Sequence, residues 1–489
     1  MRSGEPYRGY RKAEMRVLFV NDVPTECAGF EPLGLLYLSS VLRSEGHDTK
    51  YCPPTRQELG RIIRDWGPAL IAISVSTGMH RRCLDAVVAT SERHNAFIVL
   101  GGSYATFCET CIEAEKIDAL CLGEGEGAIV ELARSLVEKT DLSSIKNLHV
   151  KTSTGIVRND LRPLIGDLDA LPFPDRDLLY RRHPWMAKGK LAYVAASRGC
   201  PFDCRYCCNA YFHELYKGKG PRVRKRSVAG LVSEIRELKE VYQKEFVHFT
   251  DDLFDFPLPW LEEFRDRYRR EVGLPFYCIM RLDVVRDEKI GILADAGCVS
   301  MAVAIESGND AIRRDLLGRS MSKARMLEGL TIIKRHGIRL FVQNMLGLPG
   351  ESLEQMYETL DFNIRCRPDY AWASMFVPYP NTSLGEQALE SGLYNTDPNR
   401  FSGFFVASLQ KGRLGKKAKR LQKLFALSVE FPLIRRLLGT LLQLPLTRLY
   451  EISRKFWKGY CYCRRIFPVR HGVLGSCRLM VALFRRSGM

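Results

Sequence analysis

The sequence predicts an α/β protein built from two parallel sheets in tandem, followed by a basic helical region, and three observations carry that prediction. Short apolar runs alternate with helical periods twice along the chain, once between Met15 and about Leu136 and again between Leu191 and Pro378. The runs are apolar almost throughout, as in sheets covered on both faces. Glycines and small polar residues gather where the runs end, and ligands of open parallel sheets bind beyond the carboxyl ends of the strands. The 489-residue length leaves room for two or three domains.

In the first region, residues 16–20, 70–76, 97–101 and 118–122 have strand length, and helical periods lie between them at 33–44, 55–66, 80–93 and 126–139. This alternation predicts a doubly wound, Rossmann-like sheet over residues 15–150, preceded by a basic tail at 1–14. Its strand ends bear Ser76, Thr77 and Gly78, then Gly101, Gly102, Ser103, Tyr104 and Thr106, then Gly123, Glu124, Gly125, Glu126 and Gly127. A glycine string of this kind is a weak signal alone, and Gly123 to Gly127 could simply cap a helix. Pro163, Pro172 and Pro174 then interrupt the pattern and predict a linker over 151–187.

The second region has six strand candidates, at 191–196, 245–250, 275–283, 299–307, 338–348 and 370–378, with helices such as 228–242 and 322–336 between them. Six strand-helix units predict an incomplete parallel barrel over 188–395, with its site at the carboxyl ends of the strands. Those ends carry Thr250, Asp251 and Asp252, then Arg281 and Asp283, then Glu306 and Ser307, then Gln343 and Gly347. Bland readings stand beside each: the aspartates could cap helices, and Arg281 could be a structural ion pair. An ionised Glu306 suits ribose hydroxyls, because charged acceptors make strong hydrogen bonds. Tyr379 and Thr382, near the last strand end, are candidates to line a substrate cavity.

The loop after the first barrel strand reads Cys200-Pro-Phe-Asp-Cys204-Arg-Tyr206-Cys207. Three thiolates at these spacings leave an iron-sulfur cube one protein ligand short, so one iron stays open to a substrate or cofactor. Zinc would want a fourth ligand, and Cys208, adjacent to Cys207, is geometrically poor, while the next histidine is His213. The other cysteines among the sixteen are scattered; Cys108 and Cys111 form an isolated CxxC, and Cys461 and Cys463 sit too close together for a typical cluster. Scattered cysteines and a start without a signal-peptide pattern imply a reducing cytoplasm.

This CxxxCxxC run, with its aromatic before the last cysteine, resembles the signature of the radical S-adenosylmethionine (SAM) superfamily. The resemblance implies a 4Fe-4S cluster on Cys200, Cys204 and Cys207 whose open iron takes the amino and carboxylate groups of SAM. It also implies that Tyr206 contacts the adenine, that Thr250, Asp251 and Asp252 approach the SAM amino group, and that Arg281, Glu306, Ser307, Gln343 and Gly347 surround the rest. The first region, with Glu31 to Leu38 and Leu42 to His47, resembles the cobalamin-binding domain that precedes the barrel in one large subgroup. There Ser76, Thr77, Gly101, Gly102, Ser103, Tyr104, Thr106, Gly123, Glu124 and Glu126 would contact cobalamin. The DxHxxG motif of cobalamin mutases is absent, and Tyr104 stands where relatives often have His. A Rossmann-like domain with no ligand or another nucleotide remains the alternative. The subgroup's chemistry implies C-methylation of an unactivated carbon through a 5'-deoxyadenosyl radical and methylcobalamin, or else a cyclisation or rearrangement. An external electron donor such as flavodoxin or ferredoxin and a small-molecule substrate follow from the same resemblance.

The formal charge of +17 is confined to one end. Residues 411–489 hold 19 Lys or Arg against Glu430 and Glu451, while residues 1–410 hold 54 basic and 54 acidic residues. The longest uncharged run there, 437–447, is about half of what crosses a bilayer. Three readings of the 396–489 region remain open: helices packed on the barrel with a solvated basic face, contact with a membrane surface or a lipid substrate, and nucleic-acid binding. The last lacks any recognisable motif.

Overall fold

A computed structural model describes residues 15–23, 30–78, 80–90, 95–114, 116–395 and 410–469. They divide into two compact units. One comprises residues up to Val23 with Pro32–Pro163 and Ala170–Pro184, and the other comprises Leu164–Asp169 and the chain from Trp185 onward, together with the segment ending at Glu31.

The first unit holds a seven-stranded sheet of order β2-β1-β3-β4-β5-β6-β7. Its strands are β1 (Arg16–Val20), β2 (Asp48–Cys52), β3 (Leu70–Ser74), β4 (Phe97–Gly101), β5 (Ala119–Cys121), β6 (Leu148–Thr152) and β7 (Gly155–Arg158). Strands β1 to β5 are parallel and β6 and β7 antiparallel. β1 and β3 are buried along most of their length, as their unbroken apolar sequences require. β2 escaped the sequence reading because Asp48 and Lys50 point outward from a half-exposed strand at the sheet edge. β6 and β7 carry the first sheet to Arg158, past the expected linker start at 151: Gly155, at φ +132°, turns a hairpin too polar to read as sheet.

The second unit holds a six-stranded parallel sheet of order β15-β14-β13-β12-β11-β8, a partial barrel. Its strands are β8 (Leu191–Val194), β11 (Phe246–Phe249), β12 (Phe276–Met280), β13 (Cys298–Glu306), β14 (Arg339–Leu346) and β15 (Tyr370–Met375); β9 (Ser197–Arg198) and β10 (Arg224–Lys225) form a separate antiparallel pair. Three of the helices between them start on side-chain caps. Ser227 and Ser322 accept from Gly230 and Arg325 amides, and Ser352 with Gln355 makes a capping box.

Three C-terminal helices, Gly412–Glu430, Pro432–Leu441 and Thr447–Cys461, follow. The first covers the last barrel strand: Leu421, Leu424 and Phe425 pack with Ala371, Ala373 and Met375, and the Gln422 amide donates to the Ala373 carbonyl. Residues beyond the third helix enter the barrel at the amino-terminal ends of its strands. Phe467 stacks on His248 with centroids 5.3 Å apart, and the Ser300 hydroxyl donates to the Ile466 carbonyl at 2.6 Å. With that end plugged, the carboxyl ends of the strands carry the site.

Candidate active site

The cysteine loop is shaped by its approach. Gly199, at φ +92°, lies against the returning strand so closely that a Cβ would stand 2.0 Å from the Arg222 carbonyl oxygen. The chain then runs through Cys200 and Cys204 to Cys207, whose amide donates to the Cys204 carbonyl at 3.0 Å before the helix Cys208–Leu215 begins. All three thiols are free of disulfides; Cys204 is buried and the other two half-buried. Burial pushes the Cys200 thiol up to about 11, and a hydrogen bond with Cys208, followed by burial, raises Cys207. Binding iron therefore releases protons from this loop. Among the described residues no three His, Cys, Asp or Glu side chains converge on a single ion; an iron-sulfur cube does not need them to, since each ligand reaches its own iron.

Around the loop the strand ends supply charge. The Arg281 Nη1 donates to Cys204 Sγ at 3.3 Å, its Nε donates to Asp283 at 2.8 Å, and its guanidinium lies 3.8 Å from the Phe202 ring centroid. The structural ion pair and a contact with the loop are thus both present. Such a donor suits thiolate sulfur and fits a cluster at this position. The Tyr206 hydroxyl donates to Glu306 Oε1 at 2.9 Å and accepts from Arg319 Nη1 at 3.0 Å. Glu306 itself sits at φ +64° where the β13 and β14 register shifts, a strained conformation that turns its carboxylate back toward the loop. Burial raises its pKa, and Arg319 and Tyr206 oppose that rise. Gly347, at φ +73°, starts the loop after β14; its amide and that of Leu348 donate to Glu351 Oε2 at 2.7 and 3.1 Å, and the Tyr394 hydroxyl donates to its carbonyl. A cleft of about 510 Å³ is lined by Arg205 of the cysteine loop, Asp315, and Pro349 and Gly350 of the β14 loop.

Several predicted residues make hydrogen bonds within the scaffold. Asp251 is buried and accepts from the Ala196 amide and the Ser197 hydroxyl, bracing the first strand end, and burial pushes its carboxyl up to about 6. Thr250 donates to the Val194 carbonyl. Ser307 is fully buried against Thr359, and Thr382 caps the helix Ser383–Glu390. Asp252 is exposed, is hydrogen-bonded by Asn209, and has a charge that acts on Cys200 and Cys207. Gln343 lies within β14, half-buried. Arg319 and Glu351 were not foreseen. Glu351, an acid directly after the Leu348-Pro349-Gly350 turn, was a visible signal; Arg319, in a polar loop, gave none.

In the first unit the predicted residues meet at the strand ends. Gly102, at φ +90°, has room for no Cβ, which would stand 2.4 Å from the Val75 carbonyl oxygen, and the Tyr104 amide donates to that carbonyl. Thr106 Oγ1 accepts from the Gly123 amide at 3.0 Å and donates to the Gly102 carbonyl, tying two strand ends together. Tyr104 is buried and stacks on His80, a residue outside the predicted set, with centroids 3.6 Å apart. Gly101 and Ser103 flank Gly102 half-buried; Ser76 is exposed, Glu124 half-buried, and Glu126 buried in the first turn of the helix Glu126–Glu138. Thr77 Oγ1 and Asn21 Oδ1 are buried without a hydrogen-bond partner among the described residues. A glycine cradle beside unsatisfied polar atoms fits a large polar ligand such as cobalamin.

The architecture and site are those of a cobalamin-binding domain joined to a radical SAM barrel. Residues 28–133 match the B12 binding domain and residues 194–362 the Radical SAM superfamily. An uncharacterised methyltransferase of Pyrococcus horikoshii is 30% identical over 376 residues, covering 75% of this chain and 80% of the relative. The chain belongs to the cobalamin-dependent radical SAM enzymes, and its cofactors are a 4Fe-4S cluster, SAM and cobalamin. An anaerobic magnesium-protoporphyrin IX monomethyl ester cyclase of Cereibacter sphaeroides is 25% identical over 401 residues, which cover 76% of this chain and 63% of the cyclase. In fold, the cobalamin-dependent radical SAM enzyme OxsB, solved with aqua-cobalamin and SAM bound, matches with a TM-score of 0.68 at 17% identity over 96% of this chain and 75% of that one.

Proposed function

We propose that the protein transfers a methyl group to an unactivated carbon of a small, hydrophobic acceptor, a lipid among the candidates, drawing electrons from a flavodoxin or ferredoxin in the cytoplasm. The single observation that carries the reading is the three-cysteine loop with Arg281 on Cys204 Sγ, in a chain that also holds a cobalamin-binding domain. When bound, the cluster and SAM supply a carbon-centred radical and cobalamin supplies a methyl carrier. The chain's own residues hold and exclude. Arg281 and Asp252 bracket the cysteine loop in charge, and Tyr206, Glu306 and Arg319 form a buried polar relay suited to ribose and adenine contacts. Tyr104, Thr77 and the Gly101-Gly102 turn present the first unit's ligand surface.

Anaerobic reconstitution with all three cofactors tests the reading: 5'-deoxyadenosine and S-adenosylhomocysteine should appear together, in step with a methylated product. The similarity to the cyclase favours a second reading, in which both cofactors serve a cyclisation or rearrangement. Deoxyadenosine without S-adenosylhomocysteine would select it.

A further inference from the structure

Fourteen large apolar side chains are exposed among the described residues, and nine of them fall between Phe431 and Tyr460. The helices Pro432–Leu441 and Thr447–Cys461 form a hairpin: the Tyr450 hydroxyl donates to the Leu441 carbonyl near the turn, and Phe431 meets Trp457 at the open end with ring centroids 5.6 Å apart. On the second helix Leu449, Ile452, Phe456 and Tyr460 recur at helical spacing and are all exposed, while Tyr450, Arg454 and Cys461 on another face are buried. The first helix adds Leu433 and Leu437, 70% and 59% exposed, and the turn adds Leu444 and Leu446.

Charge selects the occupant. Arg436 and Arg448 stand exposed beside these leucines, without an ion pair among the described residues. The only two acids of residues 411–489 are consumed inside the fold: Glu430 pairs with Arg465 at 2.8 Å, and Glu451 pairs with Arg454 and Lys423. Arg435 is paired with Asp361. Residues 470–489 add four arginines and no acid, so covering the face with them would set like charges together. No helix among the described residues is long and apolar enough to cross a membrane. We propose that this hairpin face lies on an anionic lipid bilayer, its leucines and Phe456 in the interface and its arginines against the headgroups.

The test is vesicle co-sedimentation of the full-length protein. Wild type should bind mixed phosphatidylcholine–phosphatidylglycerol vesicles, fail to bind phosphatidylcholine alone, and be released by salt. Leu449→Asp with Phe456→Asp should abolish binding. Arg436→Glu with Arg448→Glu should weaken it at least tenfold, as each arginine near an anionic surface contributes about fivefold. Cluster loading and far-ultraviolet circular dichroism should match wild type; should the aspartate pair misfold, Leu433→Gln with Leu437→Gln takes its place. Three results overturn the proposal: wild type ignoring the mixed vesicles, the folded apolar variants binding as wild type does, or those variants dissolving a wild-type dimer in lipid-free sedimentation.

Discussion

The same topological position is built from opposite chemistry in the two units. At the strand ends of the first sheet, the buried polar groups are mainly hydroxyls, amides and rings, namely Thr77, Thr106, Asn21 and the Tyr104–His80 stack, set around glycine turns. At the strand ends of the barrel, charged side chains are tied into hydrogen-bonded groups, as in Arg281 with Asp283 and Cys204, and Glu306 and Arg319 on Tyr206. The first rim can recognise a bulky ligand by shape and neutral hydrogen bonds. The second suits a small zwitterion and a cluster whose charge changes. The two rims should therefore respond to different injuries.

The largest effect separates them outright. Cys204→Ala should lose the iron-sulfur chromophore and lower SAM cleavage at least about a thousandfold, whereas cobalamin titration of the first unit's site should be unchanged. Loss of both together would show that the rims are not independent. The next effect tests the buried network. Glu306→Leu strands the Arg319 charge, which is 5% exposed, and should cost about 3–5 kcal/mol in urea unfolding. Adding Arg319→Met should return most of that loss, because a buried pair replaced by apolar groups is often neutral.

Glu351 gives the barrel rim a pH signature. Burial pushes its carboxyl from 4.5 up to about 8, so the folded protein keeps a proton that the unfolded chain has already released. Stability from this group is complete below pH 4.5 and falls as pH rises toward 8, by at most about 1.4 kcal/mol per pH unit. Glu351→Gln keeps the acceptor for the Gly347 and Leu348 amides and should remove that slope. Urea midpoints of both proteins between pH 5 and 9, as a difference, read it directly; parallel profiles would mean that Glu351 is ionised in the fold.

The difference between the rims also explains what was readable beforehand. Strands β1, β3 and β4 and helices such as Leu33–Ser44, Val228–Val241 and Lys323–Arg335 were legible because apolar runs and helical periods mark them locally. The cysteine loop was legible from spacing alone. The charged rim was only partly so. Asp251, Ser307 and Thr382 sit at the expected strand ends but turn inward to brace neighbours, and Arg319 arrives from a loop with no periodicity. A side chain's position along a strand follows from sequence, but the partner it finds across the barrel depends on contacts far apart in the chain. β2 and the β6–β7 hairpin were missed for the matching reason: their exposed faces are polar, and only pairing with distant strands makes them sheet.

Thr77 supplies the smallest effect and the sharpest discrimination in the first rim. Its hydroxyl is buried, 4% exposed, and has no partner among the described residues, an arrangement that costs stability unless a ligand completes it. Thr77→Val keeps the shape and removes the unsatisfied group. Without cofactor, the variant should melt at or slightly above the wild-type temperature, because an orphaned polar atom has been replaced by a methyl. With cobalamin, it should lose the one hydrogen bond that the hydroxyl was kept for, about 0.5–1.5 kcal/mol, or roughly a two- to twelvefold weaker affinity by absorbance titration. Opposite signs in the two measurements are what a ligand-facing hydroxyl requires. A variant less stable without cofactor yet unchanged in affinity would return Thr77 to the scaffold, and the glycine turns would then carry recognition at that rim by shape alone.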